Sequence, residues 1–516
     1  MLYSQIEHMP NDWLTSRYIP YKWVLLCAGT NLVLAQYWTM KEYLLVLDNS
    51  EITILLVTGS FFASCSLGYA LPFQSIQKCY RWLFIVIGIV QLSFPWSFKI
   101  LASTIYRYEI PHFTSLLLGF GILVMAPLYT IFLPHLIEVR EKTITYRYVD
   151  ALAICYGLEL CGGILGVGII LTLGRTCFPV LVVLYFLCLS IVITFITGSK
   201  KILFAAVPIS LCLGFFYAPL DRIGATDFYQ SCYQSHDLHV IATTQSIYNR
   251  IDVLQDDAGE KFLMFNGREY FNSTDLEAFN EYIAGIPSAL MPGSSVLIIG
   301  TGSLSSVYHA SRFASSVDSV EIDSKVVELT KELFREYNHI NEVNNWTLYI
   351  DDAKHFLGST QKQYDLIILD LVPPVYVQTA LLYTREFYEL VKQHLTAHGV
   401  LSIYTGVWFG SQEFKDIENS PERTVDAVFP EYLVINSKAA DMAFIYASSS
   451  LPFGKNELAE YLKLKGRDKQ DELFEPWEVR PMIKSKRIIS RDNLGIVFEW
   501  SPWDFGKLTS KLKDWR

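Results

Sequence analysis

Glycines or acidic residues stand at the ends of four short apolar runs in the second half of the chain, a combination typical of nucleoside sites. Glycines let a backbone approach a ligand closely, and a carboxylate about 20 residues further on can accept hydrogen bonds from ribose hydroxyls. The residues are Gly300 and Gly302 after Ser295–Ile299, Glu321 in Val317–Ile322, Asp352 after Trp346–Ile350, and Asp370 after Tyr364–Leu369. If the runs are strands of one open sheet, these ends share the edge at which ligands bind. The pattern therefore predicts one nucleoside-binding crevice.

The elements that must position these residues are strands alternating with helices, which is typical of a mostly parallel sheet. This alternation predicts a Rossmann-type, methyltransferase-like α/β domain over residues 291–450. Residues 451–516 form a C-terminal extension in this prediction.

A small β-rich part is expected before that domain, over residues 221–290. The stretches Ser246–Leu254 and Lys261–Phe265 favour strands, and the turn signal Asp256–Gly259 lies between them. A helix is expected over Asp275–Leu290.

The first 220 residues predict an N-terminal all-α transmembrane bundle of about seven helices. Of the 516 residues, 51% are hydrophobic and 18% charged, and the mean hydropathy is +0.26, which is high for a soluble protein. A helix needs roughly 20 apolar residues to cross a bilayer. The candidate spans are Tyr21–Trp38, Ile52–Pro72, Trp82–Phe98, Phe113–Leu133, Ala151–Leu173, Phe178–Thr197 and Ile202–Leu220. We therefore expect a multi-pass integral protein of a bacterial inner (cell) membrane, with the lipid bilayer as a partner.

The fifth span carries two features of interest. Gly162 and Gly166 have GxxxG spacing, which would allow a neighbouring helix to approach closely. Glu159 is an ionisable group at membrane depth, so it is either a functional site or a neutral or paired carboxyl that joins two helices. Lys and Arg in the short loops favour a cytoplasmic amino terminus, and seven spans would then place the second half outside. The side on which the second half lies stays open.

Charge and cysteine content exclude several classes of function. A net charge of −10 and a pI near 5.6 argue against nucleic-acid binding. Eight of the nine cysteines lie in the hydrophobic half, so neither a disulfide framework nor a CxxC metal site is available, and no metal is expected.

At this point the motifs resemble the spermidine synthase family of aminopropyltransferases, and in particular its bacterial members fused to a membrane bundle. The family has YQxI, a glycine-rich loop, EID, GDA, YDVIIxDxxDP and LFTxEFY in this order. The similar segments here are Tyr248–Ile251, Gly300–Ser303, Glu321–Asp323, Asp351–Ala353, Tyr364–Pro374 and Leu382–Tyr388.

The resemblance implies transfer of an aminopropyl group from decarboxylated S-adenosylmethionine to an amine such as putrescine, in polyamine biosynthesis. It implies that Glu321 binds the ribose, that Asp352 binds the adenine amino group, and that Asp370 accepts a proton from the attacking amine or orients it. The remaining implied substrate-binding residues are Asn249, Gly300, Gly302 and Ser303. The nucleoside is a co-substrate, so no tightly bound cofactor is implied. A homo-oligomer is compatible with this interpretation.

Several positions depart from the family pattern. Ser303 replaces the loop aspartate, Pro373 the second aspartate of DxxDP, and Phe279 and Asn280 a tyrosine and a glutamine. Two alternatives therefore stay open beside the aminopropyltransferase. One is a transferase that uses S-adenosylmethionine and another acceptor, and the other is a catalytically silent nucleoside-binding membrane protein.

Overall fold

The chain forms two compact units in the computed structural model. The described residues are 21–47, 51–70, 80–110, 113–124, 130, 148–174, 178–197, 200–374, 376–406, 408–412, 419–467 and 471–499. The first unit comprises Met1–Asn49, Thr53–Asp257 and Phe265–Arg268, and the second Ser50–Ile52, Ala258–Met264 and Glu269–Arg516.

Long apolar helices make up the first part of the chain. In the described residues they are α1 (Tyr21–Val46), α2 (Glu51–Ala70), α3 (Tyr80–Arg107), α4 (Phe113–Val124), α5 (Tyr148–Leu173), α6 (Phe178–Thr197) and α7 (Lys200–Cys232). A helix lies at the position of each predicted span, although the fourth is described only as far as Val124.

Three of these stretches are long and apolar enough to cross a membrane among the described residues: Glu51–Ala70, Leu152–Leu173 and Phe204–Cys232. The apolar part of α6, Pro179–Thr194, is shorter than a full span. The prediction of seven transmembrane helices is therefore not confirmed and stays a prediction.

Helices α1 and α5 pack closely at the predicted glycines. A side chain on Gly162 would lie 2.2 Å from the carbonyl oxygen of Leu26, and the Thr30 hydroxyl donates a hydrogen bond of 2.9 Å to the carbonyl of Gly162. The close approach predicted from the GxxxG spacing is thus confirmed. Glu159 is 5% exposed, and neither of its carboxyl oxygens has a hydrogen-bond partner among the described residues.

A four-stranded sheet follows, with the order β1–β2–β3–β4. Its strands are β1 (His239–Gln245), β2 (Arg250–Gln255), β3 (Lys261–Phe265) and β4 (Arg268–Asn272). The predicted strand Ser246–Leu254 is wrong at its start, because residues 246–249 form the turn between β1 and β2. The Ser246 hydroxyl accepts hydrogen bonds from the backbone N–H groups of Tyr248 and Asn249 at 3.0 and 2.9 Å, which closes this turn.

Buried ion pairs connect α1, α3, α7 and β2 within the first unit. Lys99 is fully buried, with its ammonium 2.8 Å from Glu42 and 2.6 Å from Asp221. Arg250 continues the series, 2.7 Å from Asp221 and 2.8 Å from Asp252. Each buried charge therefore has an opposite charge beside it.

An eight-stranded sheet forms the centre of the second unit, in the order β12–β10–β11–β9–β8–β5–β6–β7. Strands β5 to β9 are parallel, and β10 to β12 are antiparallel to their neighbours. The strands are β5 (Ser295–Ile299), β6 (Ser316–Glu321), β7 (Trp346–Ile350), β8 (Tyr364–Leu369), β9 (Leu395–Tyr404), β10 (Glu431–Ser437), β11 (Met442–Ser448) and β12 (Glu472–Phe474).

Helices cover both faces of this sheet. Before β5 lie α8 (Leu276–Asn280), a π-helical turn (Glu281–Gly285) and α9 (Ile286–Leu290). The others are α10 (Ser305–Ser311), α11 (Ser324–Leu333), α12 (Arg335–Asn338), α13 (Ala353–Ser359), α14 (Val377–Ala380), α15 (Arg385–Gln393), α16 (Ser420–Val428), α17 (Lys455–Leu464), α18 (Pro476–Val479) and α19 (Ile496–Glu499). Along β5, Leu297 and Ile299 face one apolar cluster while Val296 and Ile298 face the other. Burial on both faces explains why the central strands are continuous apolar runs.

Candidate active site

The predicted site residues after β5, β6, β7 and β8 lie at one edge of the sheet, because these strands are parallel. Strand β5 lies between β6 and β8, so the order of strands reverses there, and such a reversal point is where open α/β sheets bind ligands. Gly300 has a φ of +83°, and a side chain on it would lie 2.5 Å from the carbonyl oxygen of Asp370. Only glycine fits this corner.

Asp370 follows β8 and is held by a backbone hydrogen bond of 2.9 Å from its N–H group to the carbonyl of Ile299. The residue is 7% exposed, and its Oδ2 atom has no hydrogen-bond partner in the part of the chain that the structure describes. Burial raises the pKa of Asp370 to about 7, and the nearby Ser306 hydroxyl opposes the shift. A carboxyl group with this pKa can accept and release a proton near neutral pH.

Glu321 ends β6, and its Oε1 atom accepts a hydrogen bond of 3.0 Å from the N–H group of Asp323. Burial raises the pKa of Glu321 to about 7, and the negative charges of Asp323 and Asp370 add to the rise, while backbone N–H groups oppose it. The charge of Asp370 thus reaches Glu321, so the two carboxyl groups lie near each other.

Tyr270, on β4, is a central residue that the sequence analysis missed. A side chain on Gly302 would lie 2.9 Å from the Tyr270 ring, so the ring lies directly against the glycine loop. Burial, followed by the negative charges of Asp370 and Glu321, raises the pKa of the Tyr270 phenol well above its usual value. The phenol therefore stays protonated beside both carboxyl groups. In the sequence, Tyr270 lies in a short strand that follows the Asn266–Gly267 turn. Periodicity alone does not distinguish such a position from a purely structural one.

Ser303 is 6% exposed and takes part in the start of α10. Its hydroxyl accepts a hydrogen bond of 3.2 Å from the N–H group of Ser305, and its carbonyl accepts one of 3.2 Å from the Asn338 side chain. Leu304 follows with a φ of +64°, which is unusual for a residue other than glycine. The loop is thus bent sharply where it meets the site.

Asp352 lies at the same sheet edge and caps α13. Its Oδ1 atom accepts hydrogen bonds from the N–H groups of Lys354 and His355 at 2.9 and 3.1 Å. The neighbouring Asp351 pairs with His355 at 2.7 Å. The helix-capping role is therefore present, while adenine binding by Asp352 stays a prediction.

Asn249 belongs to the first unit and lies in the turn between β1 and β2. Its Oδ1 atom accepts a hydrogen bond of 2.7 Å from the Asn266 side chain. This contact stabilises the turn, and substrate binding by Asn249 stays a prediction.

An open cleft of about 140 Å³ adjoins the glycine loop within the second unit. Ser303 and Asp370 line it, together with residues that the sequence analysis did not assign to a site: Glu269, Tyr270, Asn272, Asp275, Asn280 and Tyr404. No lysine, arginine or histidine lines the cleft among the described residues. In the same part of the chain, no group of three or more His, Cys, Asp or Glu side chains is arranged to hold a metal ion. The cleft is thus acidic and suited to a cationic ligand.

The strand order, the glycine corner and the carboxyl groups at successive strand ends define an α/β domain with a candidate ligand site at one edge of its sheet. Residues 276–453 match the family model for the spermine/spermidine synthase domain. The predicted resemblance to the spermidine synthase family, a family of enzymes, is thereby confirmed for this part of the chain.

Curated relatives named polyamine aminopropyltransferase match part of this chain. The polyamine aminopropyltransferase of Lachnospira eligens is 34% identical over 189 residues, which cover 36% of this chain and 66% of the relative. The polyamine aminopropyltransferase of Oceanobacillus iheyensis is 31% identical over 189 residues, which cover 35% of this chain and 35% of the relative. This chain thus spans less than two thirds of each relative. The crystal structure of spermidine synthase from Thermotoga maritima aligns with 53% of this chain and 88% of its own, with 22% identity and a TM-score of 0.37.

Proposed function

We propose that the protein is a membrane-bound transferase that moves the aminopropyl group of decarboxylated S-adenosylmethionine onto an amine such as putrescine. The observation that carries the proposal is Asp370, whose buried Oδ2 atom has no partner and whose side chain lines an acidic cleft beside the glycine loop. A buried carboxyl oxygen normally has a donor, so this atom is suited to receive one from a substrate.

The chemistry requires a base. The acceptor arrives as an ammonium, which has no lone pair with which to attack until a proton leaves, and Asp370 takes that proton. The amine nitrogen then forms a bond to the methylene carbon attached to the sulfonium. The carbon–sulfur bond breaks, and its electron pair stays on sulfur to give a neutral thioether nucleoside. Holding both substrates in line supplies much of the remaining acceleration.

The nucleoside half of the site is assigned to the glycine loop and the neighbouring strand ends. Gly300 and Gly302 let the backbone approach the adenosyl group, and Ser303 lines the path to the reacting carbon. Glu321 binds the ribose hydroxyls, and the Asp352 oxygen that does not cap α13 binds the adenine amino group. The three helices long and apolar enough to span a bilayer support the membrane part of the proposal.

Calorimetry and turnover on the purified full-length protein test the proposal. We expect tighter binding of decarboxylated S-adenosylmethionine than of S-adenosylmethionine, together with transfer of the aminopropyl group to putrescine. Equal or tighter binding of S-adenosylmethionine would favour a transferase with another acceptor. Ser303 is compatible with that result, because it replaces an aspartate whose negative charge would repel the carboxylate of S-adenosylmethionine. Nucleoside binding without transfer to any amine would indicate a catalytically silent nucleoside-binding membrane protein.

A further inference from the structure

The first residue of helix α2 contacts the segment that follows Asp370. Glu51 begins α2, a stretch that is long and apolar enough to cross a membrane. The Oε1 atom of Glu51 accepts a hydrogen bond of 2.6 Å from the backbone N–H group of Val377, the first residue of α14. Ser50–Ile52 and Val377 both belong to the second unit, so this contact lies within that unit.

The hydrogen bond between Glu51 and Val377 fixes the point at which the chain enters α14. The N–H groups in the first turn of a helix have no partner within the helix, and they carry a partial positive charge. A carboxylate complements them, and hydrogen bonds to charged groups are short and strong. The start of α2 thus supplies an acceptor that α14 itself does not contain.

The loop between Asp370 and α14 depends on α14 for its position. The Tyr383 hydroxyl, just after α14, donates a hydrogen bond of 3.3 Å to the carbonyl of Leu371. The Thr379 hydroxyl, within α14, lies at a hydrogen-bond distance of 3.3 Å from the carbonyl of Pro373. A displacement of α14 would therefore move the loop at both of these points.

Leu371 connects the loop to the candidate active site. Leu371 and Val372 line the cleft together with Asp370. A side chain on Gly300 would collide with that of Leu371, so Leu371 packs directly on the glycine corner. Movement of the loop therefore changes the position of the base relative to the nucleoside, and a misplacement of about 1 Å can lower a rate by about 100-fold.

We propose that Glu51 is a positioning residue, through which the start of α2 holds the loop after Asp370 in the arrangement that the reaction needs. The inference rests on the proposed aminopropyl transfer and adds a role for a candidate membrane helix in it. In the described part of the chain, Glu51 is not among the residues that line the cleft. It acts on Asp370 through Val377 and the loop.

Steady-state kinetics of the full-length protein in lipid nanodiscs test this role. Active sites are counted by calorimetric titration with decarboxylated S-adenosylmethionine, so that kcat refers to folded protein. Glu51→Ala should lower kcat for putrescine about tenfold and change the affinity for the nucleoside less than about twofold, because Gly300 and Glu321 lie on other strands. Glu51→Gln keeps a side-chain oxygen as acceptor, so its kcat should stay within about threefold of wild type.

Glu457→Ala is the matched control. Glu457 also accepts a hydrogen bond from a backbone N–H group at the start of a helix, at 2.9 Å from Gly454 beside α17. Neither residue is among those that line the cleft in the described part of the chain. This variant loses an equivalent bond at a distant place, and its kcat should equal that of wild type.

Hydrogen exchange followed by mass spectrometry locates the effect. The backbone N–H groups of Ala380, Leu381 and Leu382 donate hydrogen bonds within and directly after α14. Their protection should fall about fivefold in Glu51→Ala, the effect of losing a helix cap, and should stay unchanged in Glu51→Gln and Glu457→Ala.

Unchanged kcat in Glu51→Ala, an equal loss of kcat in Glu457→Ala, or an equal loss of kcat and nucleoside affinity would overturn the positioning role while leaving aminopropyl transfer intact. If the wild-type protein transfers the group to no amine, the proposed function fails, and hydrogen exchange then tests the contact by itself. A loss of protection confined to residues 376–382 in Glu51→Ala would support the role of Glu51, and unchanged protection would refute it.

Discussion

Replacement of Asp370 by Asn should remove the base and change the pH dependence of the reaction. The pKa of about 7 means that about one tenth of the Asp370 side chains are ionised at pH 6, half at pH 7 and nine tenths at pH 8. Only the ionised form accepts a proton, so its contribution to kcat/KM should rise about tenfold between pH 6 and pH 8. The full contribution of a positioned base is about 10² to 10⁴ in rate.

The measurement is kcat/KM for putrescine between pH 6 and pH 8, in wild type and Asp370→Asn, with the product quantified by chromatography. The acceptor also titrates, but it does so identically in both proteins. The ratio of wild-type to variant activity therefore isolates the side chain and should grow about tenfold across this range. We expect at least about 100-fold lower activity in the variant at pH 8.

Glu321→Gln provides the control, because the negative charge of Asp370 contributes to the raised pKa of Glu321 and the two groups therefore lie near each other. This variant should raise the KM for the nucleoside, while its activity still rises with pH because Asp370 is present. A wild-type to Asp370→Asn ratio that stays constant with pH, or a variant that keeps more than a tenth of wild-type activity at pH 8, would refute the role of Asp370 as base.

Two further predictions concern stability. His309 is fully buried with its ring nitrogens 3.2 Å from Glu277 and Glu281. Burial lowers its pKa, but the hydrogen bonds that the protonated ring donates to these two carboxylates outweigh burial and raise the pKa above 6.5. The stabilisation from this pairing is therefore complete below pH 6.5 and lost as pH rises through the raised value. Hydrogen-exchange protection of α10 should fall over that window in wild type but not in His309→Gln, and identical profiles would exclude the pairing. Lys99→Met should lower the free energy of unfolding in detergent by about 3–5 kcal/mol, since buried Glu42 loses its ammonium partner and Asp221 keeps only Arg250. Adding Glu42→Gln should restore part of this loss, and full stability of Lys99→Met alone would contradict the account.

The central strands could be predicted from the sequence because burial on both faces makes each a continuous apolar run. Strands β5, β7 and β8 have the predicted bounds, and β6 begins and ends one residue earlier. The start of the predicted strand at Ser246 failed for a local reason. Ile247 and Tyr248 have high β propensity, but they are 47% and 37% exposed in a turn closed by the Ser246 side chain.

The helix predicted over Asp275–Leu290 is not regular throughout, and part of it contacts a residue far along the chain. A π-helical turn replaces regular helix at Glu281–Gly285, and all five of its residues are buried. Glu281 pairs there with His309, which lies 28 residues further along the chain. Helical periodicity contains no information about that partner.

The residues of the candidate site were likewise predictable only where they follow a local sequence pattern. Gly300, Glu321 and Asp370 were identifiable because each lies at the end of its own strand or directly after it, and parallel pairing alone brings such ends together. Tyr270, Glu269 and Asp275 reach the cleft through the placement of β4 and the start of α8 beside the sheet, which no local pattern specifies. The departures at Ser303 and Pro373 predicted a loss of negative charge from the acceptor region. Electrostatic attraction depends on distance and not on motif position. Glu269 and Asp275 line the cleft from another segment, so a count restricted to the family's motif positions underestimates the negative charge of this cleft.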